Sequence, residues 1–269
     1  MSDTPLDSLA DTALWVAVFR ARESRRPDAL FRDPLAAQLA GDRGFELVDG
    51  PSGAPQTSWS VAIRTVVIDE LVTEAVARGA DTVLSLGAGL DARPYRLDLP
   101  AGLRWFEVDY PQLVALKEQR LAGEVPRCRV ERVGLDLARR EDRRALFGRI
   151  AATSPNVLVL TEGLVPYLSG EEVATLADDL FAQPSFSGWV IDYLAPELVR
   201  ALQGRSAVVA APLRFAPADW HAFFAEHGWR ATQLRYLADA SERLGREMPY
   251  PAAIRQVLGY TLLERGRSA

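Results

Sequence analysis

The chain has 269 residues, 48% of them hydrophobic and 25% charged, with a formal net charge of −5. These are ordinary globular values, and the scattered arginines offer no basic face for nucleic acid. Cys128 is the single cysteine and His221 and His227 the only histidines, which excludes an internal disulfide, a cysteine metal cluster and a three-histidine metal site. No apolar run reaches membrane-spanning length, and the acidic stretch Met1 to Leu9 lacks the basic lead of a secretory signal, which is consistent with a cytoplasmic protein.

In chain order, Asp11 to Arg25 has helical spacing, with Ala13, Leu14, Ala17 and Val18 on one face. Asp33-Pro34 opens a second helix over Leu35 to Ala40, with aspartate at the N-cap and proline in the first turn. Residues 41–58, rich in Gly, Pro, Ser and Asp, read as a loop. Trp59 to Arg78 repeats apolar residues at helical spacing and stops at Gly79.

The period then changes. Strands are expected at Thr82 to Leu86, Leu103 to Val108, Cys128 to Val133, Val157 to Leu160 and Trp189 to Tyr193, separated by helical stretches, of which Pro111 to Leu121 and Glu171 to Phe181 are the clearest. Ser169 with Glu172 forms a capping box for the latter. Ala218 to His227 is amphipathic and ends at Gly228, which places His227 at a helix C-terminus. Trp229 to Leu237 and Gln256 to Glu264 are strand-like and close the sheet in antiparallel fashion. Alternating strands and helices predict an α/β, doubly wound, mostly parallel sheet. The expected organisation is one folded unit: an N-terminal helical extension over 1–79, a Rossmann-like core over 80–269, and a lid at 195–215.

The most informative segment is Val83-Leu84-Ser85-Leu86-Gly87-Ala88-Gly89-Leu90-Asp91, an apolar strand entering a glycine turn that contains a carboxylate. Asp109 closes the next strand, where an acid can accept both hydroxyls of a ribose. An adenosine-bearing cofactor is therefore expected. Gly87, Gly89 and Ala92 also satisfy the looser dinucleotide pattern, but a pyrophosphate would face Asp91. Like charges about 4 Å apart repel by roughly 4 kcal/mol at an effective dielectric near 20. S-Adenosyl-L-methionine, a phosphate-free cation, suits that carboxylate better. Asp91 could equally cap a helix starting near Arg93-Pro94.

Several ordered stretches, Thr12-Ala13-Leu14-Trp15 through Arg20-Ala21-Arg22-Glu23, Phe31-Arg32-Asp33-Pro34-Leu35, Leu86 to Arg93, Phe106 to Pro111 and Thr161-Glu162-Gly163-Leu164-Val165-Pro166-Tyr167-Leu168, resemble the leucine carboxyl methyltransferase family, especially its bacterial branch of polyketide-type O-methyltransferases. The likeness extends from about Asp11 to the last strand. It implies a class I methyltransferase fold with a seven-stranded sheet whose last strand is reversed. It also implies that Gly87 and Gly89 approach the methionine part of the donor, that Asp109 takes the ribose, and that Asp136 and Leu137 take the adenine. Glu162 would lie near the sulfonium. Arg64 would grip the donor carboxylate, assisted by an arginine of the first helix, Arg22 or Arg20.

Asp109 could alternatively cap the helix after Pro111, Asp136 could cap the helix that follows it, and Arg64 could be solvated. Glu162, directly after an apolar strand, requires a cation, whether cofactor or arginine. Tyr167 and Tyr193 are the polar groups expected to line the acceptor pocket, unless they are core aromatics. The expected acceptor is a small-molecule carboxylate or hydroxyl. Two alternatives stand beside this reading: a nicotinamide-dependent oxidoreductase using the same glycine turn, and a non-catalytic regulatory protein that binds S-adenosylmethionine.

Overall fold

The computed structural model describes residues 5–49, 55–202, 212–249 and 255–266. Three helices come first, α1 (Pro5–Ser24), α2 (Ala36–Asp49) and α3 (Pro55–Ala77). There follow β1 (Thr82–Leu86), α4 (Arg93–Arg96), β2 (Arg104–Asp109), α5 (Pro111–Arg120), β3 (Arg129–Gly134), α6 (Arg140–Ala151) and β4 (Val157–Thr161). A short 3-10 turn, Val165–Tyr167, leads to α7 (Gly170–Phe181), β5 (Phe186–Leu194), α8 (Pro196–Leu202), α9 (Trp220–Glu226), β6 (Trp229–Tyr236), α10 (Leu237–Arg243) and β7 (Leu258–Arg265). All seven expected strands are present, their ends displaced by at most three residues.

The strands form one sheet in the order β3-β2-β1-β4-β5-β7-β6. Pairing is parallel from β3 through β5, and β7 is inserted antiparallel between β5 and β6. The expected reversed last strand is thus internal, and β6 forms the edge. The other edge, β3, carries exposed Arg129 and Glu131, charges that discourage pairing with another chain.

Side chains alternate between the two faces, as the pleat requires. On β4, Val157 and Val159 join one cluster with α6, α7 and α9, while Leu158 and Leu160 join the other with α3 and α10. A third cluster packs α1 and α2 against Leu90 and Ala92 of the loop after β1 and Leu113 of α5. The helical extension thereby reaches the glycine turn directly.

One expectation is corrected. Residues 41–58 are not a loop throughout: α2 continues to Asp49 across a kink at Gly41, whose φ of 56° favours glycine, and α3 starts at Pro55. Composition obscured a helical stretch whose Phe45, Leu47 and Val48 pack into the third cluster. α8 and α10 went unanticipated, and the helices α4 and α6 were expected only as capping alternatives for Asp91 and Asp136. In α6, charged residues crowd around a narrow apolar stripe of Leu146, Phe147 and Ile150.

Trp189 centres the first cluster. Fully buried, it donates from Nε1 to Thr161 Oγ1 at 3.0 Å and meets Phe224 and Trp229 edge-on. Trp189→Ala is expected to cost about 3–5 kcal/mol in urea unfolding; a loss below about 1 kcal/mol would contradict this packing.

Candidate active site

β1 ends at the crevice edge of the sheet, and its turn is tied to β2 by Gly87 and Ala88, whose N–H groups donate to Val108 O at 2.9 and 3.1 Å. Gly87 and Gly89 have φ of 66° and 47°, left-handed values that side chains disfavour. Gly89 N–H donates to Asp109 Oδ2 at 2.7 Å, and Tyr110 N–H donates to Oδ1 at 2.8 Å. Burial raises the Asp109 pKa above the usual carboxylate range, although both N–H groups and Lys117 act to lower it. Each oxygen keeps acceptor capacity beyond its one backbone donor.

Behind the turn lies a buried charge network centred on Arg93, whose side chain is 2% exposed. Its Nε donates to Asp69 of α3 at 2.7 Å, and its Nη1 reaches Asp91 at 3.0 Å and Glu162 at 2.7 Å. Arg96 adds two bonds to Asp69, at 2.6 and 2.7 Å. Burial pushes the Asp91 pKa up, but Arg93, aided by Lys117, Arg96 and Arg20, overrides it and holds Asp91 at about 2. Glu162 behaves alike: burial raises its pKa, yet Arg93 and Arg64 hold it below its usual value. Among the described residues, three carboxylates (Asp69, Asp91, Glu162) thus meet three guanidiniums (Arg64, Arg93, Arg96).

Arg64 is the incompletely used member. Its Nε lies 2.9 Å from Glu162 Oε1 without forming an aligned hydrogen bond. Burial lowers its pKa, but nearby Tyr260, Glu162, Asp192 and Tyr167 raise it overall.

The structure gathers Gly87, Gly89, Asp91, Asp109, Glu162 and Arg64 along one edge of the sheet. It separates the two arginine candidates of α1. Arg20 donates to Asp33 at 2.9 Å and to Leu90 O, beside the turn, at 2.6 Å. Arg22, 41% exposed, pairs with Asp49 instead. Of the two arginines left open, Arg20 therefore stands beside the turn and Arg22 does not. Asp91 Oδ1 accepts Arg93 N–H at 3.0 Å, although Ala92 rather than Asp91 holds the N-cap position of α4. Its charge is matched from within the protein, which weakens the electrostatic case against a pyrophosphate.

Asp136 follows β3 and accepts Ala138 N–H at 3.0 Å, ahead of α6, whose N-cap is Arg139, while Leu137 packs on the first core cluster. Tyr167 stands near Arg64 and Asp192, its phenol pKa raised mainly by burial. Tyr193 points elsewhere, edge-on to Trp220 and Tyr236 and stacked on His221 at 6.0 Å. His227 Nδ1 lies 2.7 Å from Asp178 at the end of α9, as its helix-end reading required. Arg93, Asp69 and Asp192 escaped sequence reading. Asp192 accepts Gly163 N–H at 3.0 Å and Tyr260 O–H at 2.6 Å, and burial lifts its pKa to about 6.

These residues fit S-adenosylmethionine on three counts. The turn carries no Cβ at Gly87 and Gly89, Asp109 has acceptor capacity for a diol, and the buried Arg64 Nε makes no aligned hydrogen bond among the described residues, leaving its guanidinium capacity for a carboxylate. The strand order with its inserted antiparallel β7, together with an acid closing β2, defines a class I methyltransferase fold.

The comparisons agree. The leucine carboxyl methyltransferase family model matches residues 13–181. A Frankia alni protein named as a candidate S-adenosyl-L-methionine-dependent methyltransferase is 33% identical over 261 residues, covering 90% of each chain. A Mycobacteroides abscessus protein with the same designation is 34% identical over 278 residues, covering 89% of each. The chain belongs to the leucine carboxyl methyltransferase family. Solved structures share the fold: a candidate methyltransferase of Thermobifida fusca (TM-score 0.56, 16% identity, 86% of this chain and 93% of that one) and the Synechocystis magnesium protoporphyrin IX methyltransferase with bound S-adenosylhomocysteine (0.51, 14%, 82% and 93%). The nicotinamide alternative finds no support in the family match or these relatives.

A pH prediction follows from Asp91. Its folded pKa of about 2 lies below the unfolded value, so the stability it contributes is fully present above about pH 4 and is lost as pH falls toward 2. Between pH 5 and pH 2 the native protein is expected to lose about 2 kcal/mol more than Asp91→Asn, measured by urea unfolding. Parallel pH curves would contradict the ion pair.

Proposed function

We propose that this S-adenosyl-L-methionine-dependent methyltransferase transfers its methyl group to oxygen, forming a methyl ester on the carboxylate of a small natural-product or polyketide-like acceptor. S-Adenosyl-L-methionine is its cofactor, and when bound it supplies a methyl group activated on a sulfonium. Asp109 accepts the ribose hydroxyls, Gly87 and Gly89 let the backbone approach the methionine portion, and Arg64, assisted by Arg20, takes the donor carboxylate. Asp136 and Leu137 flank the adenine. Glu162, already neutralised by Arg64 and Arg93, orients Arg64 more than it offers a free charge. The protein's main task is to align the acceptor oxygen in a water-poor crevice, a contribution of up to about 7–11 kcal/mol in well-oriented systems.

The carboxylate preference rests on one observation: the acids of the β4–β5 edge are already engaged. Glu162 is held by two arginines, and Asp192 by Gly163 N–H and Tyr260 O–H. Glu162 is held ionised by its arginines, Asp192 with its pKa of about 6 keeps some capacity for a proton, and an ionised carboxylate acceptor asks for none. A hydroxyl acceptor is the second reading, favoured by exposed His221 stacked on Tyr193, an imidazole able to serve as base. Tyr167 lines the acceptor side in both readings, whereas Tyr193, packed on Trp220, Tyr236 and His221, does so only in the second. The lid assigned to 195–215 lies partly outside the described residues.

The test is a panel of matched carboxylic acids and phenols with radiolabelled donor, scored for base-labile methyl esters against stable ethers. Esters are expected, with Tyr167→Phe impairing phenols more than acids. Ethers alone, lost in His221→Ala, would favour the second reading, and donor binding without any product would favour a regulatory protein. Asp109→Ala and Arg64→Ala are each expected to weaken S-adenosylhomocysteine binding tenfold or more, since a charged hydrogen bond contributes about 1.5–3 kcal/mol. Calorimetry on folded variants with unchanged affinity would refute the site map.

A further inference from the structure

Of 31 basic residues other than histidine, 30 are arginine and one, Lys117, is lysine. Nearly every ion pair of the protein is therefore built with guanidinium, including exposed ones where lysine would serve as well. The exception is buried. Lys117, on α5, is 2% exposed and faces Glu107 of β2, also 2% exposed, with Nζ 2.9 Å from Oε1. Neither atom makes an aligned hydrogen bond among the described residues. The other Glu107 oxygen accepts Arg132 Nε at 2.8 Å, and Arg132 is held in turn by Tyr95 Oη at 2.6 Å.

Glu107 and Asp109 stand two residues apart on β2, hence on the same face of the strand. α5 begins directly after β2 and brings Lys117 back beneath that face. We propose that Lys117 is a positioning residue for the donor site, its compact ammonium set against Glu107 so as to keep Asp109 ionised and fixed for the ribose. The inference rests on the assignment of Asp109 to the ribose.

A guanidinium would spend its fork on directional bonds, whereas an ammonium acts as a compact point charge. Lys117 acts on both acids of the crevice, lowering the pKa of Asp109 and of Asp91. Glu107 opposes it at Asp109. The remaining groups facing Asp109 are the N–H groups of Gly89 and Tyr110; the Tyr110 phenol stands near both Asp109 and Asp136. Removing the ammonium would leave the Glu107 charge acting on an already buried carboxylate, which would then protonate at higher pH and cease to accept from two hydroxyls.

The experiment is calorimetric titration of S-adenosylhomocysteine from pH 5 to pH 8 into the full chain and its variants. Native protein should lose affinity on the acid side as Asp109 protonates. Lys117→Met should move that acid limb to higher pH, with the loss of affinity relative to native protein growing toward the acid end of the range. Lys117→Arg should keep most of the native profile. The double variant Lys117→Met/Glu107→Gln, which restores the charge balance, should recover most of the affinity lost in Lys117→Met. Glu107→Gln alone should move the limb downward, and it serves as the test if Lys117→Met does not fold.

An unmoved limb in folded Lys117→Met would overturn the proposal, as would a double variant binding no better than the single one. If Lys117→Met does not fold, an unmoved limb in Glu107→Gln has the same force. Failure of the native protein to bind S-adenosylhomocysteine, or full affinity in Asp109→Ala, would instead overturn the site assignment beneath it.

Discussion

The donor crevice depends on one buried guanidinium. Arg93 bonds simultaneously to α3 through Asp69, to the glycine turn through Asp91 and to the end of β4 through Glu162. Asp69 and Glu162 lie 24 and 69 residues from Arg93, so no local propensity could bring those segments to it. Removing one partner of such a buried arrangement leaves an uncompensated charge, which typically costs about 3–5 kcal/mol. The arginine therefore imposes a fixed geometry on elements that the sheet alone positions only coarsely. Arg64 completes the arrangement from α3, its charge shared with Glu162.

The same network explains how three acids can be gathered at one end of the sheet. Each of Asp69, Asp91 and Glu162 has a guanidinium within hydrogen-bond distance. Asp109 differs, since its partners are two backbone N–H groups and a more distant ammonium. A carboxylate held by neutral donors retains more negative character for a ligand than one locked in an ion pair. That distinction separates the acid assigned to the ribose from those that build the frame. At the acceptor side, Asp192 is tied to Gly163 and Tyr260, fixing the turn that follows β4 and leaving chemistry there to positioning.

Much of this was legible in the sequence. Strand positions followed from apolar runs ending in glycine or acid, and the spacing from Gly89 to Asp109 marked the proposed donor crevice because Gly89 follows β1 and Asp109 closes the adjacent parallel β2. Arg64 was legible only through family likeness; its helix face alone could not identify its partner. Arg93 was read merely as part of a helix start beside Pro94, since its partners Asp69 and Glu162 become neighbours only once α3 and β4 flank β1. The choice between Arg20 and Arg22 turned on the direction of α1, two residues being enough to carry a side chain from the turn to the surface. The misread 41–58 stretch shows the limit of composition: a kink at Gly41 reads as a break, yet packing of Val48 continues the helix beyond it.

The account is tested most directly by a crystal structure of the protein with S-adenosylhomocysteine. It predicts the ribose hydroxyls on Asp109, the amino acid carboxylate on Arg64, and the Arg93 contacts to Asp69, Asp91 and Glu162 retained. A nucleoside bound elsewhere, or one bound only after Arg93 has left Glu162, would contradict it.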